Sequence, residues 1–418
     1  MRILKLTASV EKKLLRARRE RDVEAEGVAK EIIEDIRRRG DKALAAWIKK
    51  LDGVDVHREG LWITKSEIDA ARKKVDRELL RAIEHAARNV RRVAEKQLPQ
   101  PWTIEVEPDV KIGQRISPIE SIGCYIPGGQ FALISTLLMT VVPARVAGVK
   151  EIQVVCPRPN AALLAAASYL GIERIGRFGG AQAIGAMAYG TKSVPRVEKI
   201  FGPGNRFVTA AKQLVSSDCA IDLPAGPTEA IVFADRGNPR WIAADLLAQA
   251  EHAPDAGSFF VTTSAALAGS VQREVEWQLK ELPGGGGLAK LSTSLVGKIL
   301  VAPSVSAACE FINRFAPEHL SLPDDGQRLL RQIQSSGTVF VGPWGAQPLG
   351  DYASGSNHVL PTGGWARKRG GLSAADFVKC ISVQTIGRKG FSELADTVEI
   401  LASAEGLHAH RNAIRVRR

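Results

Sequence analysis

Histidine is scarce in this sequence, with 7 among 418 residues, and cysteine, tyrosine and methionine are rarer still at 5, 4 and 3. Each scarcity removes a class of function. The cysteines Cys124, Cys156, Cys219, Cys309 and Cys380 stand singly, without a Cys-x-x-Cys pair. That excludes a thiolate zinc knuckle. An odd, unclustered count also suits a reducing compartment. No run approaches the roughly 18 consecutive apolar residues of a membrane-spanning helix. The start, "MRILKLTASVEKKLLRARRERDVEAEG", lacks the apolar core of a secretory signal. The expected compartment is the cytoplasm.

The charge balance is basic, 57 Lys and Arg against 45 Asp and Glu, for a net +12. A nucleic-acid surface needs a basic face with interleaved aromatics. Here the bases are mixed with acids, as in "RARRERDVEAEGVAKEIIEDIRRRGDK", which reads as a solvated amphipathic helix. The excess charge fits attraction of anionic cofactors or substrates.

A chain of this length predicts two or more domains. Residues 1 to about 100 read as helices, with apolar residues at three and four spacing and Ser66 as an N-cap. From about 121 the texture changes to strand, glycine turn and helix: "SIGCYIPGG", "EIQVVCPRP", "RIGRFGGAQAIGAMAYG" and "EKIFGPGNRFVTAAKQLVSS". Such repeats predict an α/β fold with a parallel sheet whose binding edge lies at the carboxyl ends of the strands. A second set follows from "AIVFAD" to "GTVFVGP". "LPGGGGLAKLSTS" is expected to be a flexible loop, and the tail from "GFSELADTVEI" a detachable helical segment. The fold class is therefore α/β, two Rossmann-like domains with helical appendages.

Four constellations can carry chemistry. Gln249 and His252 lie three apart at a helix end, near Asp245 and Glu251, and can face one metal ion. Capping and core packing explain such a histidine equally well. Glu318 and His319 are adjacent in "APEHLSL", where one can act as a base and the other as a proton relay. Asp351, Asn357 and His358 lie in "PLGDYASGSNHVLPTGG", which reads as a surface loop of the functional kind. Glu405, His408 and His410 crowd into "AEGLHAH". Separately, the turns "IPGGQ", "FGGAQAIG" and "FGPGNRF" offer backbone N–H groups to an anion, though none has Gly-x-Gly-x-x-Gly spacing.

Taken in order, "YIPGG", "STLLM", "GGAQAI", "KIFGPGN", "DLPAGPTEA", "ADLLAQAEH", "APEHL", "GDYASGSNHVLPTGG" and "AEGLHAH" resemble the histidinol dehydrogenase family over about 120 to 412. The resemblance implies an enzyme using zinc and two NAD in succession to take L-histidinol through the aldehyde to L-histidine. It implies zinc ligands Gln249, His252, Asp351 and His410, the last supplied by the partner in a homodimer. His319 and Glu318 match the catalytic pair. Thr228, His358 and Glu405 match further substrate contacts, and Tyr125, Gln182 and Asn205 match positions that touch NAD. Thr228 stands where the family usually has Ser.

The division it implies is a helical N-terminal segment (1–20), a discontinuous α/β domain (21–122 with 230–371) holding metal and catalytic residues, an NAD-side α/β domain (123–229), and an exchanged helical tail (372–418). A basic binding protein without catalysis would have no reason to assemble four metal-capable side chains from distant segments, and two further readings compete with histidinol oxidation. One is a dehydrogenase of the same fold acting on another small polar alcohol. The other is a metal-dependent lyase or hydrolase with Glu318 as base and no nicotinamide.

Overall fold

The computed structural model describes residues 1–18, 22–128, 133–223, 226–324 and 326–418. Among them lie two six-stranded sheets and a small three-stranded one. Sheet I runs Arg2–Lys5, Lys298–Val301, Gly257–Thr262, Glu229–Phe233, His319–Leu322, Thr338–Val341, with every pairing parallel. Sheet II runs Trp62–Thr64, Arg174–Gly176, Glu151–Val155, Ser121–Tyr125, Lys199–Phe201, Ala220–Ile221, parallel apart from its antiparallel first strand. The expected α/β class with parallel-rich sheets is what the chain adopts.

Parallel sheets need helices on both faces, so their strands are apolar on both sides. Glu229–Phe233 and Gly257–Thr262 are buried at every residue. The helix Ile134–Val146 is buried along Ser135–Ala144, as a helix enclosed on all sides must be. It packs against the helix Arg77–Gln97 and the turn Ala374–Phe377. Side-chain caps start the connecting helices: Asn160, Asn205, Asn238 and Ser304 each accept from backbone N–H groups of a first turn.

Several expectations change. Residues 1–20 are not only helical: Arg2–Lys5 is an edge strand of sheet I, ahead of the helix Ala8–Ala17. Residues 21–122 were grouped with 230–371, yet Trp62–Thr64 pairs in sheet II and the helix Val23–Arg39 packs on Gly180–Tyr189 and Arg206–Val215. Its alanine and isoleucine stripe belongs to the same core as Ile184 and Val208. The stretch "LPGGGGLAKLSTS" holds the helix Gly287–Leu295, which buries Ala289, Ser292 and Thr293. The tail opens with a nine-residue strand, Val378–Ile386, which forms an antiparallel sheet with Val110–Pro118 and, beyond it, Trp102–Glu107. No helix among the described residues is long and apolar enough to cross a membrane.

Candidate active site

The catalytic candidates converge at the amino ends of sheet I strands. Glu318 immediately precedes His319–Leu322, beside Glu229 at the start of its strand. The helix Pro239–Ala250 runs back along the sheet and delivers Gln249 to the same edge. Sheet II instead presents the carboxyl ends of its strands, where Tyr125, Gly176 and Phe201 are the last residues. The carboxyl-edge rule read from the glycine turns therefore covers only sheet II.

Glu318 is held by one oxygen. Its Oε2 accepts from the Thr228 hydroxyl at 2.5 Å and from the Glu229 N–H at 3.0 Å. The Thr228 oxygen in turn accepts from Gln249 Nε2 at 3.0 Å, and Gln249 Oε1 accepts from Gln347 Nε2 at 2.6 Å. The chain Gln347, Gln249, Thr228, Glu318 fixes the carboxylate through its Oε2. Gln347 was not singled out in the sequence; nothing in "GAQPLG" distinguishes it from a surface glutamine.

His319 is 3 % exposed, and neither ring nitrogen has a hydrogen-bond partner. Nδ1 lies 3.7 Å from Glu318 Oε2 and Nε2 lies 3.5 Å from Asp351 Oδ1, while the ring stacks near Phe340. The ring therefore sits between two carboxylates, each just beyond good hydrogen-bond geometry, as suits a group that exchanges a proton with a reactant. Burial opposes its protonation, but the carboxylates of Glu318 and Asp351 outweigh that and raise its pKa.

Asp351 sits in the short helix Gln347–Tyr352 and is buried, not in a surface loop. The segment that follows is wedged between the two sheets. Asn357 Nδ2 donates to the Met139 carbonyl at 2.7 Å, and Val359, Leu360 and Thr362 are buried. His358 Nδ1 lies 2.8 Å from the Asp351 carbonyl, so that nitrogen carries the proton, and Nε2 accepts from the Thr136 hydroxyl at 3.1 Å. Both ring nitrogens are engaged within the protein, and burial lowers its pKa.

The expected metal ligands are partly assembled. His252 Nε2 and Asp351 Oδ2 are 3.9 Å apart, against about 3.4 Å between two ligand atoms of a tetrahedral ion with bonds of about 2.1 Å. Among the described residues no three His, Cys, Asp or Glu side chains are placed to hold a metal. Glu405 and His410 are exposed, on and beside a helix, His408–Arg415, that packs against Arg388–Ala404. Of the expected ligands, His252 and Asp351 of one chain are close enough to share an ion, while the Gln249 amide is engaged by Thr228 and Gln347.

At the sheet II edge the glycine turns prove to be occupied by the chain itself. The Gly179 N–H donates to Asp52 Oδ2 at 3.1 Å, as does Gln182 Nε2 at 3.0 Å, and the Gly180 N–H reaches the Tyr125 hydroxyl at 3.2 Å. Burial pushes the Asp52 carboxyl up, and these donors pull it back. The Gly202 N–H donates to Asp222 Oδ2 at 2.8 Å, its carbonyl accepts from Lys212 Nζ at 2.8 Å, and Lys212 pairs with Asp222. Gly202 has φ +116°, and a Cβ there would meet the Tyr125 carbonyl at 2.1 Å. Tyr125 and Gln182 are buried, whereas Asn205 is exposed. These two turns are therefore not open anion sites. The third, "IPGGQ", lies partly outside the described residues.

Two parallel-rich sheets, one filling its turns with buried aspartates and the other holding a buried acid–base pair beside metal-capable side chains, define an α/β enzyme. The sequence matches the family model described as histidinol dehydrogenase over residues 15–418. It is 44 % identical over 397 residues to histidinol dehydrogenase of Aquifex aeolicus, covering 94 % of this chain and 93 % of that one. It is 43 % identical over 395 residues to histidinol dehydrogenase of Methanosarcina mazei, covering 92 % and 90 %. The fold superposes on the crystal structure of histidinol dehydrogenase from Elizabethkingia anophelis with a TM-score of 0.93 at 38 % identity, covering 100 % of this chain and 98 % of the other. The chain belongs to the histidinol dehydrogenase family.

Proposed function

We propose that this chain oxidises L-histidinol to L-histidine at the amino edge of sheet I, in two hydride transfers to NAD. The observation that carries this reading is the buried His319 with two unpartnered nitrogens beside Glu318. In the first step the His319 imidazole takes the alcohol proton while hydride leaves the carbinol carbon, giving the aldehyde, NADH and a proton. In the second, the Glu318 carboxylate draws a proton from water as the water oxygen bonds to the aldehyde carbon, and protonated His319 returns its proton to the former aldehyde oxygen, giving the hydrate. His319 then takes the hydrate's proton as the second hydride leaves, giving the carboxylate and a second NADH. Glu318 keeps its orientation through Thr228 and the Glu229 N–H.

Gln249, His252 and Asp351 would hold zinc, with His410 of the partner subunit as the fourth ligand and the partner's Glu405 beside the substrate. When bound, zinc anchors the substrate's nitrogens and NAD accepts hydride. A homodimer is supported by the apolar surface of the tail, where Ile400, Leu401 and Val416 are 68 %, 58 % and 69 % exposed. Tyr125, Gln182 and Asn205 are assigned to the NAD side, Asn205 exposed there and Tyr125 and Gln182 also holding that edge in shape. His358 is assigned to orienting Asp351 as well as lining the substrate pocket. The expected location is the cytoplasm.

The test is the NADH yield per histidinol consumed. Two supports the double oxidation, and one means the reaction stops at the aldehyde. No NADH from histidinol but turnover of another small polar alcohol transfers the reading to a different substrate. Mixing inactive His252→Ala and His410→Ala subunits should restore part of the activity, and no recovery rejects the shared site.

A further inference from the structure

The reading of "RARRERD" as a solvated helix face fails at Arg18. This residue caps the C-terminus of the helix Ala8–Ala17 and turns inward, with its side chain 12 % exposed. Its Nε donates to Glu229 Oε2 at 2.7 Å, and its Nη2 donates to Glu229 Oε1. Its Nη1 donates to the Phe315 carbonyl, and the guanidinium lies 3.7 Å from the centre of the Phe315 ring. Glu229 Oε1 also accepts from the Gly363 N–H at 3.1 Å.

These contacts enclose Glu318 from both directions. Phe315 ends the helix Val305–Phe315, Ala316 turns the chain in the left-handed region at φ +51°, and Pro317 leads straight into Glu318. On the other side, the Glu229 N–H bonds Glu318 Oε2, while the Glu229 side chain is fixed by Arg18. One guanidinium thus ties the segment that carries Glu318 to the strand end that orients it, and adds the loop end at Gly363. Burial pushes the Glu229 carboxyl up, and the Arg18 guanidinium opposes this.

We infer that Arg18 is a positioning residue for Glu318, setting through Glu229 and Phe315 where the water-activating carboxylate stands. The inference rests on the proposed role of Glu318 in the aldehyde step. A planar fork that bonds a carboxylate with two nitrogens and a carbonyl with the third is beyond an ammonium group, which can satisfy only part of it. Displacement of a reacting group by about 1 Å costs on the order of a hundredfold in rate.

The experiment measures NADH formation from histidinol and, separately, from the aldehyde, for wild type, Arg18→Met, Arg18→Lys and Glu318→Gln, alongside thermal midpoints. Arg18→Met is expected to slow aldehyde oxidation by about ten- to a hundredfold in kcat with little change in KM, and alcohol oxidation by much less. Arg18→Lys is expected to recover part of that loss. Equal slowing of both steps, or a lowered midpoint with unchanged rates, overturns the inference. If Arg18→Met does not fold, Arg18→Lys decides: a selective aldehyde defect supports the inference and wild-type rates overturn it. Failure of Glu318→Gln to impair the aldehyde step removes the underlying reading instead, and is scored independently of Arg18.

Discussion

The two six-stranded sheets are built alike but treat their polar edges in opposite ways. At the carboxyl edge of sheet II, Asp52 and Asp222 accept from the turn amides and Lys212 completes the second turn, while the buried Gln182 Oε1 there has no hydrogen-bond partner among the described residues. At the amino edge of sheet I, His319 is left with no hydrogen bond and His252 is 3.9 Å from Asp351. A closed edge is a rigid platform; an open one is a set of groups awaiting a reactant. The contrast teaches that glycine turns alone do not locate an anion site, because the chain can fill its own N–H groups. Unsatisfied buried groups locate the chemistry more directly.

The open edge should be the more sensitive in activity. His319→Asn is expected to reduce both oxidations by about a thousandfold, within the range for loss of a general base, while the midpoint of unfolding stays near wild type. Step-resolved NADH kinetics with circular dichroism measures this. A thousandfold loss accompanied by unfolding would make His319 a core residue and erase the contrast.

The closed edge should be the more sensitive in stability. Lys212→Met removes the cation paired with the buried Asp222, and breaking a buried pair in this way costs about 3–5 kcal/mol. Urea unfolding measures the loss. A change below about 1 kcal/mol, the range of exposed pairs, would show that the pair does not hold the Gly202 turn.

Much of this was legible because it is local. Apolar runs ended by glycine turns gave the parallel sheets, and Gln249, His252, Glu318, His319 and Asp351 were marked by their residue types and neighbours. What was hidden depends on contacts remote along the chain. Arg18 sits in a run of mixed charge identical in texture to a solvated helix, and only Glu229, 211 positions away, makes it a core residue. Asp52 looks like an ordinary turn aspartate until Gly179 and Gln182 reach it. The antiparallel sheet of Trp102–Glu107, Val110–Pro118 and Val378–Ile386 was missed because much of it is exposed, so it carries no buried alternation to read.

The smallest effect tests whether the difference between the sheets extends to their aspartates. Asp245 lies one turn before Gln249 in the helix Pro239–Ala250, and burial alone raises its pKa to about 6. The ordinary value is about 3.9, so the folded protein holds this proton more tightly than the unfolded chain does. Ionisation therefore works against the fold: stability is highest below about pH 4, declines as pH rises towards about 6, and is flat above. The loss is on the order of 1–2 kcal/mol once partial exposure is allowed for. Asp245→Asn removes it. The variant should unfold a few degrees higher than wild type at pH 8 and at the same temperature at pH 4, by scanning calorimetry at both. A gain of equal size at both would trace to the amide's packing instead of the charge, and a loss at pH 8 would mean that Asp245 is as well partnered as Asp52 and Asp222.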